Sequence, residues 1–303
     1  MRRIRTILAV TDYSDAGRRA ELRAAMLCAE HKAEVFEVLT VAERDQDLEQ
    51  ALAARAHDAN RIPGEDAPRA PLFGASHGQV HAGAACARTA GFGAPAYVVT
   101  RRAEELRVDL TIASYQSGKV PVGKQRHADA LELIRLADSP VLLVKREPRH
   151  AYRKTLLATD FGDASIEAVR MCMRIAPGAH HTLFHTLGGD VDDAAVARAE
   201  DIVYLSRYRT SELAARRLNE LAAMLGSPRE ALSRVVRFGK PVAAITQFAS
   251  RIDADLVAIG KTGEHGMSRS EVGIFAARLV NELDCDVLIV PGEPEGWPGG
   301  TAA

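Results

Sequence analysis

One stretch of this sequence admits few folds. Residues Asp255 to Pro291 read DLVAIGKTGEHGMSRSEVGIFAARLVNELDCDVLIVP. The apolar run Leu256–Ile259 closes on Gly260 and predicts a buried strand. A loop follows with Gly263, Gly266 and Gly273 and with the basic residues Lys261, His265 and Arg269. Phe275, Leu279 and Leu283 then recur at helical spacing. A second buried strand, Val287–Val290, stops at Pro291. Strand, glycine loop, helix and strand make a parallel βαβ unit. The loop leads into a helix N-terminus, where backbone N–H groups hold anionic phosphate best.

The same pattern occurs twice. Gly93 and Gly239 lie 146 residues apart, as do Ser114 and Gly260, and Val141 and Val287, while Asp12 and Asp160 lie 148 apart. The segment Thr6–Thr11 with its turn DYSD is echoed by Thr155–Thr159 with DFGD. A chain of 303 residues has room for two domains, and a repeat of this length means an internal duplication. The expected fold class is α/β: two doubly wound domains, each with a five-stranded parallel sheet flanked by helices. The boundaries are expected at 1–148 and 149–292, with 293–303 a disordered tail.

Further elements follow from periodicity. Strands are expected at Val35–Val41, Leu110–Ala113, Val141–Val144, Thr182–Leu187 and Val235–Phe238. Helices are expected to turn Leu22, Ala25, Met26 and Ala29 inward in the first half, and Ile166, Val169, Met173 and Ala176 in the second. A longer one covers Ser211–Leu225, and Pro95 and Pro241 open two more. A modest amphipathic helix over 43–61 and an irregular Pro/Gly-rich loop over 62–79 complete the first half.

The glycines of the second half fit G-x-x-G-(x)9-G, as Gly260, Gly263 and Gly273. With the DYSD and DFGD turns, the G-x-P helix starts and the closing strands SPVLLV and CDVLIV, the chain resembles a tandem two-domain member of the universal stress protein family. Many members of that family bind ATP through G-x-x-G-(x)9-G-[ST]. Position 274 departs from this pattern, since Ile274 stands where a hydroxyl is expected. The resemblance implies a pocket at the carboxyl ends of the first and fourth strands. Asp160 would take the base or ribose, Ile259 and Thr186 would line the base, and the backbone of Gly260, Gly263, Gly273 and Ile274 would approach the phosphates. It also implies a stress-response role, with ATP as the cofactor. Hydrolysis would be slow at most, and a nucleotide-free interaction scaffold is the alternative.

Bland readings stand beside these. Asp160 suits a turn or helix cap as well as a ligand. Lys261, His265 and Arg269 suit a solvated loop, and nothing fixes the direction of Ser268 or Ser270. In the first half Ser114, Ser117 and His127 replace the three glycines, so that loop reads as degenerate and kept for packing. His180, His181 and His185 lack carboxylate or thiol partners at ligand spacing, so no metal is expected. No nucleophile elbow, zinc motif or P-loop occurs.

The net charge of −1 gives no reason to expect nucleic acid as a partner. The four cysteines are scattered and read as buried thiols in a reducing compartment. No apolar run approaches a membrane span, and the N-terminal run ends too early for a signal peptide. A cytoplasmic protein is expected. The apolar closing strands Val141–Val144 and Val287–Val290 invite edge pairing, so internal pairing of the two domains is expected as well.

Overall fold

The computed structural model describes residues 3–42, 85–115, 130–188, 200–226, 232–261 and 269–292. The expected elements over 43–61 and 62–79 and the expected tail 293–303 lie outside the described residues. The chain divides into two compact units, Met1–Ala151 and Tyr152–Ala303.

The first unit runs β1 (Thr6–Thr11), α1 (Asp15–His31), β2 (Val35–Ala42), β3 (Ala85–Phe92), α2 (Pro95–Leu106), β4 (Leu110–Ser114), α3 (Ala130–Leu136) and β5 (Val141–Val144). Its five strands are all parallel, in the order β3-β2-β1-β4-β5. The second unit runs β6 (Lys154–Ala158), α4 (Asp163–Ile175), β7 (His180–Leu187), α5 (Glu200–Met224), β8 (Leu232–Phe238), α6 (Pro241–Arg251), β9 (Leu256–Gly260), α7 (Arg269–Glu282) and β10 (Asp286–Val290). It repeats the order as β8-β7-β6-β9-β10, again all parallel. Each unit is the doubly wound five-stranded sheet expected from the duplication. In each, the winding reverses between the first and fourth strands, where such folds place ligands.

The central strands are mostly apolar because helices cover both of their faces. Every residue of β4, β5 and β10 is buried. Strand β3 is absent from the expected elements. Its sequence ACARTAGF carries little β-branched or alternating signal, and among the described residues it pairs only with β2.

The inward face of α1 also differs from expectation. Ala16, Gly17, Ala20, Arg23, Ala24, Leu27 and Cys28 are buried, whereas Leu22, Ala25 and Met26 are half-buried and Ala29 is exposed. Small residues let the helix axis lie close to the sheet, and the larger ones flank the contact. In α4 the expected Val169 and Met173 do face inward, together with Ala168 and Cys172.

Several polar strand residues are buried as well, among them Glu37, Thr40, Thr155, His181 and Thr182. His180 is exposed, but the adjacent His181 is only 2% exposed and meets the Thr155 hydroxyl at 2.7 Å through Nδ1. Adjacent histidines before a strand suit a surface position, and of this pair only His180 takes one. Burial, and secondarily His180, pushes the pKa of His181 down to about 4. Cys28, Cys172 and Cys285 are buried free thiols and Cys86 is half-buried.

Candidate functional site

The site is built on the reversal point of the second unit. Strands β6 and β9 are direct neighbours, with Leu157 opposite Ala258. Two residues past Ala258, Gly260 ends β9, and three past Leu157 stands Asp160. The sheet therefore brings Asp160 and Gly260 to the same edge, the carboxyl ends of adjacent parallel strands. Thr186 lies near the end of the next strand, β7, and is half-buried. Ile259 is 2% exposed, so its side chain belongs to the core.

The turn after β6 fixes how Asp160 is presented. Asp160 Oδ1 accepts from the Gly162 amide at 3.0 Å, a local turn closed by its own carboxylate. Thr159 Oγ1 accepts from the Phe161 amide at 2.9 Å. The Ser165 hydroxyl donates to the Gly162 carbonyl at 2.9 Å, so the 3.0 Å contact between Thr159 and Ser165 uses the threonine proton. Phe161 sits at φ +69°, an uncommon conformation for a bulky residue. The turn reading of Asp160 is thus correct, while the N-cap of α4 is Gly162, which offers no side-chain oxygen.

Sequence reasoning missed three neighbours of this turn. His185 Nδ1 lies 2.7 Å from the Thr159 carbonyl. A carbonyl only accepts, so Nδ1 carries the proton and donates. The His185 ring packs on Phe161 with centroids 4.5 Å apart, and the Arg217 guanidinium of α5 stands 4.3 Å from the Phe161 centroid. Strand alternation was the available signal. Phe184 turns to Phe248 of α6, 5.0 Å between ring centroids, so His185 must turn to the other face.

Gly260 has a packing reason as well as an expected ligand role. A Cβ on it would lie 2.5 Å from the Ser165 backbone nitrogen and 2.7 Å from the Ala164 carbonyl carbon. The bare backbone lets the first turn of α4 close on the end of β9. Gly263, His265 and Ser268 lie outside the described residues. Gly273 and Ile274 fall inside α7, which begins at Arg269. The N–H groups that this helix leaves without an intrahelical partner belong to the turn before them. The expectation of Gly273 and Ile274 at the helix start is corrected accordingly. Among the described residues no group of three His, Cys, Asp or Glu could hold a metal ion, and no helix is long and apolar enough to cross a membrane.

Comparison with known proteins fits this geometry. The sequence profile of the universal stress protein family matches residues 151–291. A universal stress protein of Methanocaldococcus jannaschii is 27% identical over 145 residues, 48% of this chain and 85% of the relative. Universal stress protein E of Escherichia coli is 26% identical over 170 residues, 52% of this chain, and the match spans about half (52%) of that relative's length. Among solved structures, a universal stress protein of Archaeoglobus fulgidus superposes over 96% of this chain and 97% of its own, with a TM-score of 0.59 and 13% identity. A Pseudomonas aeruginosa protein of unknown function covers 95% of this chain and 93% of its own, with a TM-score of 0.60 and 19% identity. At these identities the two structures speak to the fold.

Proposed function

The chain belongs to the universal stress protein family, and from that premise we propose that it is a stress-response protein that binds ATP or a related adenine nucleotide in its second unit. Bound nucleotide acts as a regulatory state, with slow hydrolysis at most. The observation that carries this reading is the convergence of Asp160 and Gly260 at the reversal point between β6 and β9. Asp160 takes the base or ribose side, with Thr186 beside it. The phosphates lie toward Gly263 and the N-terminal turn of α7, where helix N–H groups favour anions. Lys261 follows directly on β9, with its amide held by the Val290 carbonyl at 2.6 Å.

Ile274 favours a second reading, a nucleotide-free interaction scaffold of the same fold. Mass spectrometry of ligand released from denatured, purified protein and calorimetric titration with ATP separate the two. A hydrogen bond to a charged group contributes about 1.5–3 kcal/mol. Ile274→Ser is therefore expected to tighten ATP binding about ten- to a hundredfold. Absence of heat at millimolar ATP from both the wild type and Ile274→Ser leaves the scaffold reading.

A further inference from the structure

We infer that His185, Phe161 and Arg217 are positioning residues of the second unit's nucleotide site, bracing the turn that presents Asp160. The inference rests on the nucleotide reading above and goes beyond it by assigning residues outside the glycine motif. Two observations carry it. The first is the geometry of the brace. His185 donates to the carbonyl of Thr159, the residue directly before Asp160, at 2.7 Å. It also packs against Phe161, the residue directly after Asp160, at 4.5 Å. Arg217 reaches from α5 to the same Phe161 ring at 4.3 Å. Asp160 is thus held on both sides along the chain by groups from β7 and α5.

The second observation is the alternative used in the first unit. Tyr13 takes the same left-handed backbone, φ +60°. There Ser14 fixes the turn locally: its hydroxyl donates to Asp12 Oδ1 at 2.5 Å and accepts from the Gly17 amide at 3.1 Å. Thr40 occupies the register position that His185 holds in the second unit. Gly162 replaces Ser14, and α4 has no side-chain cap. In place of the Ser14 hydroxyl, that of Ser165 donates to the Gly162 carbonyl at 2.9 Å, and an aromatic and cationic clamp reaches in from β7 and α5 as well. Contact with the residues on either side of Asp160 assigns His185, Phe161 and Arg217 to holding it. It also makes α5 a lever on the pocket, since Arg217 is its contact with the Phe161 ring.

The test uses the full chain in two measurements, amide hydrogen exchange over residues 159–163 and calorimetric titration with ATP. Arg217→Gln removes the cation from the ring, Arg217→Lys restores one, and His185→Ala removes the donor and the stack. Arg237→Gln is the control, since Arg237 stands over a different ring, 5.7 Å from the Phe248 centroid. A cation over a half-exposed ring corresponds to about a two- to fivefold effect. Arg217→Gln should speed exchange at the Phe161 and Gly162 amides and weaken ATP by that factor. His185→Ala should do so by about tenfold. Arg217→Lys should recover most of the loss, and Arg237→Gln should change neither quantity. Exchange at the turn that is unchanged in Arg217→Gln and His185→Ala overturns the inference. So does faster exchange with undiminished ATP affinity, or an equal effect from Arg237→Gln. If the wild type binds no ATP, the nucleotide reading fails and this inference fails with it. If the wild type binds and the variants bind equally well, only the inference fails.

Discussion

The two units share one topology and solve the same contacts with different chemistry. Between β2 and α2 of the first unit, Glu37 is 2% exposed and is held by Arg102 through both carboxylate oxygens, each at 2.8 Å, and by the Thr89 hydroxyl at 2.6 Å. At the matching contact of the second unit, Phe184 packs on Phe248. The register makes Thr182 the counterpart of Glu37, and the 146-residue repeat makes Phe248 the counterpart of Arg102. On the opposite face the polarity is exchanged. The second unit buries Thr155 against His181, where the first buries Ile7 and Phe36. The glycines near the first turn meet different groups: Gly260 of the second unit lies against α4 backbone, whereas a Cβ on Gly17 of the first would lie 2.5 Å from Asp12 Oδ1 and 2.8 Å from Thr11 Oγ1. A duplicated backbone thus tolerates either chemistry at a contact, provided that the buried carboxylate or imidazole keeps its partner.

The largest effect expected from exchanging the units' residues is at Gly260. Gly260→Ser installs the Ser114 counterpart and drives a Cβ into α4 backbone at 2.5 Å. Overpacking against backbone that cannot swing aside is expected to cost about 3 kcal/mol or more. Urea unfolding followed by exchange in each unit should show the loss in the second unit only. Equal stability would mean that α4 can shift to admit a side chain at that position.

Next in size is the buried carboxylate. Arg102→Met leaves Glu37 without its main partner, and a buried charge so orphaned costs about 3 kcal/mol at neutral pH. The double replacement Glu37→Thr with Arg102→Phe gives the first unit the second unit's residues and should recover most of that loss. A double variant no more stable than Arg102→Met would mean that the aromatic solution depends on the rest of its own unit.

Comparable in size, but dependent on pH, is the response to acid. His181 titrates near 4 in the fold because burial disfavours its charged form, against about 6.5 in an unfolded chain. Between those values the unfolded chain binds more protons, so stability is full above pH 6.5 and is lost as pH falls through about 4. The loss totals about 3 kcal/mol at about 1.4 kcal/mol per pH unit. Burial alone would raise the pKa of Glu37, but the hydrogen bonds from Arg102 and Thr89 outweigh it and the carboxyl ends below its ordinary value. Its contribution is lost only at more acid pH. Exchange measured from pH 7 to 4 should therefore loosen the second unit first. Replacing Thr155 and His181 with the Ile and Phe of the first unit should abolish that order. If the order persists, another group sets it.

The smallest effect concerns the caps. Ser14→Ala removes the acceptor of the Gly17 amide and should cost about 1 kcal/mol. Gly162→Ser should gain only a few tenths of a kcal/mol, because glycine is itself an acceptable N-cap. A larger gain, read from thermal unfolding, would mean that the brace on Phe161 does little to hold its turn.

The local signals in the sequence reached a definite depth. Fold class, duplication and the core strands were legible because strands buried on both faces are largely apolar, and Val141–Val144 and Val287–Val290 are wholly so. The strand Ala85–Phe92 was not, since a strand with one neighbour among the described residues and no fully buried face needs no such signature. For α1 the apolar residues pointed to the wrong stripe. Alanines and Gly17 make the contact with the sheet, and hydrophobicity does not measure how closely two elements can approach.

For the site, the sequence by itself determined which residue types could meet: an aspartate after the first strand and glycines after the fourth. The repeat of the aspartate at Asp12 and the absence of a hydroxyl at 274 were equally plain. Only the tertiary structure decided that Gly260 admits the backbone of α4, that α7 begins ahead of Gly273, and that Asp160 sits in a turn gripped by His185, Phe161 and Arg217. Those contacts join residues up to 96 positions apart in the chain, as Ala164 and Gly260 are. No local pattern encodes such a separation. Side-chain direction across a sheet follows from strand register, and register forms only when the strands pair.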